Sequence, residues 1–152
     1  MDKIIMCKVE GVDVKEPIRA HETDAGIDFF VPNDFEKTYL FPGKDILIPS
    51  GIRVVVPEGY ALIAKNKSGV ATKKKLSVGA CVVDSGYRNQ VHIHLYNFSN
   101  ETITIEPGDK IVQFVLVKIG LHMPEFISEK EYEETYLNTE RGLGGFGSTG
   151  SK

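Results

Sequence analysis

Asp84 follows an apolar run, Ala80 to Val83, and precedes a Ser85-Gly86 turn and Tyr87, so a carboxylate and a phenol stand together on one turn. Four other stretches carry groups that suit the same kind of ligand. Ala25-Gly26-Ile27-Asp28 offers a carboxylate at a tight turn. Lys67-Ser68-Gly69 sets a cation, a hydroxyl and a flexible backbone at a candidate helix N-terminus, a natural anion site. Gly108–Gln113 supplies Lys110 and the amide of Gln113. Arg141–Gly150 (RGLGGFGSTG) is half glycine. A Gly-rich terminus is usually a disordered tail, but a linker needs neither Arg141 nor Phe146. Glycines such as Gly147 let backbone N–H groups close on phosphate, Ser148 and Thr149 add donors, Arg141 adds charge, and Phe146 can stack on a base. The segment therefore reads as a mobile phosphate- and base-binding lid. The combined chemistry is hydrolysis of a nucleotide phosphate: cations and donors hold the oxyanions while a carboxylate orients and deprotonates water.

Elements must position these groups. Strands are expected at 3–9, 27–31, 46–48, 52–56, 60–65, 101–105 and 110–119, each bounded by Gly or Pro turns such as Pro57-Glu58-Gly59 and Pro107-Gly108-Asp109. Residues 79–97 alternate apolar Val91, Ile93 and Leu95 with His92, His94 and Tyr96, the pattern of a β-hairpin with one buried face. Helix is invited at 68–75, with Ser68 as N-cap, and at Ser128–Glu131, where a capping box fits. Short, punctuated strands indicate an all-β sandwich, jelly roll or barrel. Asp109 reads as a turn or ion-pair residue.

The 152 residues suggest one domain, with 41% hydrophobic and 26% charged residues as in ordinary globular chains. A net charge of -3 argues against a nucleic-acid or anionic-membrane partner, and Lys73-Lys74-Lys75 reads as a solvated face that raises local positive potential. No apolar run approaches a membrane span, and the N-terminal apolar runs are too broken for a signal peptide. Cys7 and Cys81 read as reduced thiols. The expected setting is intracellular, in the cytoplasm of the cell or of a host cell.

These five segments, in this order from about Ala25 to Gly150, resemble the five motifs of the trimeric dUTP diphosphatases (dUTPases). The Gly-rich tail is the most specific piece, and Gly79–Arg88 (GACVVDSGYR) the next. The resemblance implies a distorted jelly-roll β-barrel with a short helix, one domain over 1–152, with core and linker to 140 and the lid over 141–152. It implies a homotrimer whose sites are shared between subunits. It implies hydrolysis of dUTP at the α-phosphate to dUMP and pyrophosphate, which keeps uracil out of DNA and supplies dUMP for thymidylate synthesis. By position, Asp84 matches the water-activating carboxylate, and Tyr87 the ring beneath the deoxyribose. Cys81 and His92 match backbone contacts to uracil. Lys67, Ser68, Gly69 and Gln113 match phosphate contacts. Arg141, Gly147, Ser148 and Thr149 match the lid's grip on the outer phosphates, with Phe146 over the base. Asp28 matches a carboxylate that holds Mg²⁺ through water, in keeping with magnesium's reluctance to dehydrate.

The chain departs from the family pattern at Asn66-Lys67-Ser68-Gly69, where Pro-Arg-Ser-Gly is usual, and at Lys110, where arginine is usual. Lysine keeps the charge but lacks the bidentate fork. Gly86 stands where an acidic residue is common, and Asn89 where glycine is common. Three other readings compete. Gly86 followed by His92-Ile93-His94 resembles the opening of the cupin metal motif, but the glutamate expected a few residues later is absent, those positions carrying Asn97, Phe98 and Ser99; a metal site is not expected, and His94 is left without a role. A dCTP deaminase shares the resemblance in fold, but the paired serine-arginine motif is missing. A binding or regulatory trimer that has lost efficient catalysis stays open because of the two lysines.

Overall fold

The structure, a computed structural model, describes residues 3–145. The chain divides into two compact units, one ending at Gly120 and the other beginning at Leu121. Each is described by itself.

The first unit is almost entirely β. Its strands are β1 (Ile5–Lys8), β2 (Gly26–Phe29), β3 (Thr38–Leu40), β4 (Asp45–Val55), β5 (Tyr60–Asn66), β6 (Leu76–Val78), β7 (Val82–Val83), β8 (Gln90–Asn97), β9 (Ile103–Ile105) and β10 (Val112–Lys118). They form two four-stranded antiparallel sheets, β1-β4-β8-β6 and β2-β10-β5-β7, and a β3-β9 pair. Both large sheets contribute to one core: Phe29, Leu62 and Phe114 from one, Ile48, Ile52, Ile93 and Leu95 from the other. The Phe29 and Phe114 rings meet tilted, with centroids 4.6 Å apart. Each fully buried side chain of this size stabilises by about 1.5–3 kcal/mol. The expected all-β class is therefore observed at the level of a mostly β chain with few helices. Among the described residues no helix is long and apolar enough to cross a membrane.

Two local expectations need correction. The Pro49-Ser50-Gly51 turn does not separate two strands; β4 runs through it. Pro49 faces His92 while Arg53 faces Gln90, so β4 uses four residue steps where β8 uses two. The extra residues bulge. Gly51 takes φ 71°, its N–H donates to Gln90 Oε1 at 3.0 Å, and Ser50 Oγ accepts from Ile52 N at 3.1 Å. Side chains thus replace the interrupted ladder, which local turn chemistry cannot foretell.

Residues 79–97 are also not a simple hairpin. Here β8 pairs with β6 (Val78 opposite Leu95), whereas β7 leaves for the other sheet and pairs with β5 (Val83 opposite Leu62). The expected alternation in β8 holds, with Val91, Ile93, Leu95 and Asn97 buried. What differs is the partner of the apolar run before Asp84: Val83 enters the core beside Leu62 of β5. Asn97 is the polar member of the core. Its Nδ2 donates to the carbonyls of Leu40 and Glu101, both at 2.8 Å, and its Oδ1 accepts from Ser99 N and Oγ.

The expected helix at 68–75 is a single π-helical turn, Val70–Lys74, with Gly69 as its N-cap and no side-chain cap bond, so Ser68 does not cap it. Thr72 Oγ1 bonds back to the Ser68 carbonyl at 2.7 Å, and Lys75 at φ 55° ends the turn so that β6 can begin at once.

In the second unit, α1 (Glu129–Tyr136) starts at Ser128, whose Oγ accepts from Glu131 N at 3.2 Å. The expected N-cap is realised there, with Glu129 and Glu131 favourably placed near the positive end of the helix.

Candidate active site

The departure of β7 from β8 opens a slot. The strand pairing of β8 on its β6 side ends at Leu95, followed by Gly79 N donating to His94 O at 2.9 Å. Beyond that point Val91 and His92 line a cavity of about 220 Å³, together with Ala80, Cys81, Asp84, Tyr87 and Phe114. Four residues expected in the site from sequence, Cys81, Asp84, Tyr87 and His92, therefore line one concavity. Asp84 to Tyr87 is a tight turn, Tyr87 N donating to Asp84 O at 3.1 Å. Tyr87 Oη donates to the Gln90 carbonyl at 2.9 Å, which fixes the ring across the mouth. Among the described residues the Asp84 carboxylate takes no hydrogen bond or ion pair, and it is exposed. A carboxylate so placed can accept a proton from a bound water.

A second cluster gathers cations. Asp28 is buried (4% exposed) between two ammonium groups: Lys67 Nζ contacts its Oδ1, and Lys110 Nζ lies 3.1 Å from its Oδ2. Burial acts to raise the Asp28 pKa, but hydrogen bonds from Lys67 and Lys110, with their Coulomb fields, outweigh it and hold the carboxyl below its ordinary value. One carboxylate thus fixes two lysines from different strand ends. Gln113 stands opposite Asp28 in the ladder, and its Nε2 donates to the Asn66 carbonyl at 2.8 Å. Gly26 lies under that amide: a Cβ there would fall 1.9 Å from Gln113 Oε1. Ser68 and Gly69 are exposed immediately after Lys67, at the entry to the π-helical turn.

The two clusters use different sequence positions well but not completely. Lys110 was read from its motif as a charge, yet its partner Asp28 was read only as a metal-associated acid. Asn66 and Gly26, which hold Gln113, carried no chemical signal of their own. Asp109 behaves as expected of a turn and ion-pair residue: its Oδ2 accepts from Glu106 N at 3.1 Å and lies 3.7 Å from Lys74 Nζ. His94, left without a role by the sequence, is largely enclosed and bonded through both ring nitrogens. Arg141 belongs to the second unit, where its Nε donates to Gly144 O at 2.9 Å. Phe146, Gly147, Ser148 and Thr149 lie outside the described residues. Among the described residues no group of three His, Cys, Asp or Glu side chains converges on a metal position.

Known proteins share this arrangement of segments. The family model described as dUTPase matches residues 13–150. The deoxyuridine 5'-triphosphate nucleotidohydrolase of Mycolicibacterium gilvum is 37% identical over 142 residues, which cover 91% of this chain and 89% of its own. That of Fusobacterium nucleatum is 37% identical over 150 residues, covering 97% of each chain. Among solved structures, a mutant dUTPase of Staphylococcus bacteriophage 80alpha with dUpNHpp superposes with a TM-score of 0.79 at 28% identity, covering 99% of both chains. A mutant dUTPase from phage phi11 of S. aureus, which reveals coordination of a structural Mg(II) ion, gives 0.74 at 25% identity over 84% of this chain and 98% of that one. With a family match from the first sheet through the Gly-rich tail, and relatives similar over nearly their whole length, this chain belongs to the dUTPase family.

Proposed function

We propose that this protein hydrolyses dUTP at the α-phosphate, giving dUMP and pyrophosphate, and so keeps uracil out of DNA while supplying dUMP for thymidylate synthesis. The observation that carries the reading is the slot between β7 and β8, where an unengaged carboxylate, Asp84, meets a fixed Tyr87 ring and an unpaired strand edge. Unpaired backbone groups are obligatory hydrogen-bonding partners. At His92 and Cys81 they would read the uracil edge and reject cytosine, whose donor and acceptor at position four are reversed. A thymine methyl would be excluded by lack of space. Tyr87, packed beneath the deoxyribose, would crowd a ribose 2′-hydroxyl.

Asp84 is the general base. It takes a proton from the water that attacks the α-phosphorus, and the bond to the bridging oxygen of the pyrophosphate leaving group breaks. Lys67, Lys110, Ser68, the Gly69 backbone and Gln113 hold phosphate oxygens as charge moves onto them. Arg141, Gly147, Ser148 and Thr149 grip the outer phosphates, and Phe146 covers the base. Mg²⁺ would be carried on the phosphate oxygens, and Asp28 is the acid that would contact it through water, in exchange for one of its two lysine contacts. When bound, the ion neutralises phosphate charge.

The Asp84 carboxylate has no cation within ion-pair reach among the described residues of its own chain. The match to the dUTPase family supports a jelly-roll homotrimer whose sites are shared between subunits. The direct assay is pyrophosphate release from a panel of dUTP, dCTP, dTTP and UTP with Mg²⁺. Strong preference for dUTP is expected; equal turnover of all four, or none, refutes the reading. Asp84→Asn should lower kcat by about 10²–10⁴-fold with dUTP affinity nearly unchanged. Mixed oligomers of Asp84→Asn and Lys67→Ala chains should regain part of the activity that each lacks alone. No recovery would refute shared sites.

A further inference from the structure

The structure assigns His94 a positioning role: it clamps the loop that forms one wall of the Asp84 cavity, and thereby sets how well the cavity selects its base. The functional half of this statement rests on the reading of that cavity as the uracil site.

His94 points away from the core of β8 but is not a surface residue, since its side chain is only 16% exposed. Both ring nitrogens are occupied. Nδ1 lies 2.7 Å from the Ala80 backbone nitrogen, and Nε2 lies 2.9 Å from Asp45 Oδ2. A backbone N–H can only donate, so Nδ1 must be the bare acceptor and the proton must sit on Nε2, aimed at the carboxylate. One neutral tautomer satisfies both contacts, and Asp45 selects it. The His94 carbonyl takes a third bond, from Gly79 N at 2.9 Å. Two consecutive loop amides, those of Gly79 and Ala80, are therefore held by one residue.

The approach is closer than a side chain at position 79 permits. A Cβ on Gly79 would stand 2.3 Å from His94 Nδ1 and 2.8 Å from Tyr96 Cε2. The Tyr96 ring packs tilted on the imidazole, with centroids 5.0 Å apart, and closes the outer side of the contact. Immediately after the clamp come Ala80 and Cys81, which line the cavity. The Cys81 carbonyl is drawn the other way, accepting from Ala64 N in β5 at 2.7 Å. The chain from Gly79 to Cys81 is thus tethered between His94 in one sheet and β5 in the other. The length of that tether fixes the spacing between the Cys81 wall and the exposed edge of β8. Because His94 touches no lining group except through the loop, its role is to position rather than to bind.

The test uses the full-length protein and two kinds of readout. In ¹⁵N NMR, wild-type His94 should show an unprotonated Nδ1, a protonated Nε2 and a scalar coupling across the hydrogen bond to the Ala80 amide. A protonated Nδ1, or no coupling, overturns the clamp. In steady-state kinetics, His94→Leu should raise KM for dUTP by about tenfold and lower the dUTP-over-dCTP preference by a similar factor, the size expected for losing one or two neutral hydrogen bonds that fix a recognition wall. Its kcat should stay within about threefold, because Asp84 is untouched. His94→Asn, whose Oδ1 can still accept from Ala80 N, should recover most of the preference. A folded His94→Leu protein with unchanged KM and preference overturns the proposal. If that variant does not fold, His94→Asn and Asp45→Ala remain decisive: Asp45→Ala should mix the tautomers and erode preference, and mixed tautomers with intact preference count against the role. Wild-type protein with the coupling present but no dUTP turnover would refute the assigned activity while leaving the clamp intact.

Discussion

Replacing Asp28 by asparagine removes the charge that Lys67 and Lys110 share while keeping shape and one acceptor oxygen. The Lys67 contact is enclosed, its side chain 22% and that of Asp28 5% exposed, so a charge-assisted bond of about 1.5–3 kcal/mol is lost. Lys110 is 41% exposed and screened by solvent, and adds about 0.5 kcal/mol. Relief from burying a carboxylate offsets about 1 kcal/mol of this. The variant should be destabilised by about 1–2.5 kcal/mol at neutral pH. The pH dependence carries the sharper signature. Burial alone would raise the Asp28 pKa, but Lys67 and Lys110 hold it below the ordinary value of about 3.9. As acid is added, the unfolded chain then takes up a proton before the folded one does. The stabilisation is therefore complete above about pH 5 and is lost as pH falls through the unfolded and then the folded value. Urea unfolding of both proteins at pH 7, 5, 4 and 3, at one fixed protein concentration, measures the gap directly. The gap should be constant from pH 7 to 5 and close below pH 4. A gap that persists unchanged at pH 3, or a variant as stable as the wild type at pH 7, would show that the ion cluster is not what holds Asp28.

Gly26→Ala should push the Gln113 amide off its bond to Asn66, since a Cβ would lie 1.9 Å from Oε1 and 2.8 Å from Cδ. We expect KM for dUTP to rise by about tenfold with a smaller change in kcat; an unaltered KM would remove Gln113 from the phosphate site. Asn97→Ala should destabilise by about 2–4 kcal/mol, because four hydrogen bonds, one buried and three part-buried, go with the side chain and the Leu40 carbonyl is left without its donor. A change below about 0.5 kcal/mol in chemical unfolding would mean that water replaces the amide at no cost.

Much of the fold was legible because its signals are local. Gly and Pro end strands where the backbone must turn, and β8 alternates because strand side chains alternate faces. The Ser128 cap was readable for the same reason: hydroxyl and amide are neighbours in sequence. Pairing partners were not readable. Val82 and Val83 look the same whether they pair with β8 or β5; only the tertiary fold sets Val83 beside Leu62 in the neighbouring strand. The bulge at Pro49–Arg53 depends likewise on Gln90, which comes from a strand far along the chain.

The candidate site divides along the same line. Residue type and order alone pointed from Asp84, Tyr87, Lys67, Gln113 and the Gly-rich tail to a nucleotide phosphate, because carboxylate, phenol, ammonium and amide chemistry is intrinsic to the side chain. Tertiary structure decided how those groups are held. It made Asp28 the shared counter-ion of Lys67 and Lys110, since a buried carboxylate must find cations and two strand ends delivered them. It turned the stretch around Asp84 from a closed hairpin into an open slot, since β7 pairs with β5 in the other sheet rather than with β8. And it gave His94 work that its position in an alternating strand did not announce, because both of its partners, Ala80 and Asp45, are brought to it by other parts of the chain.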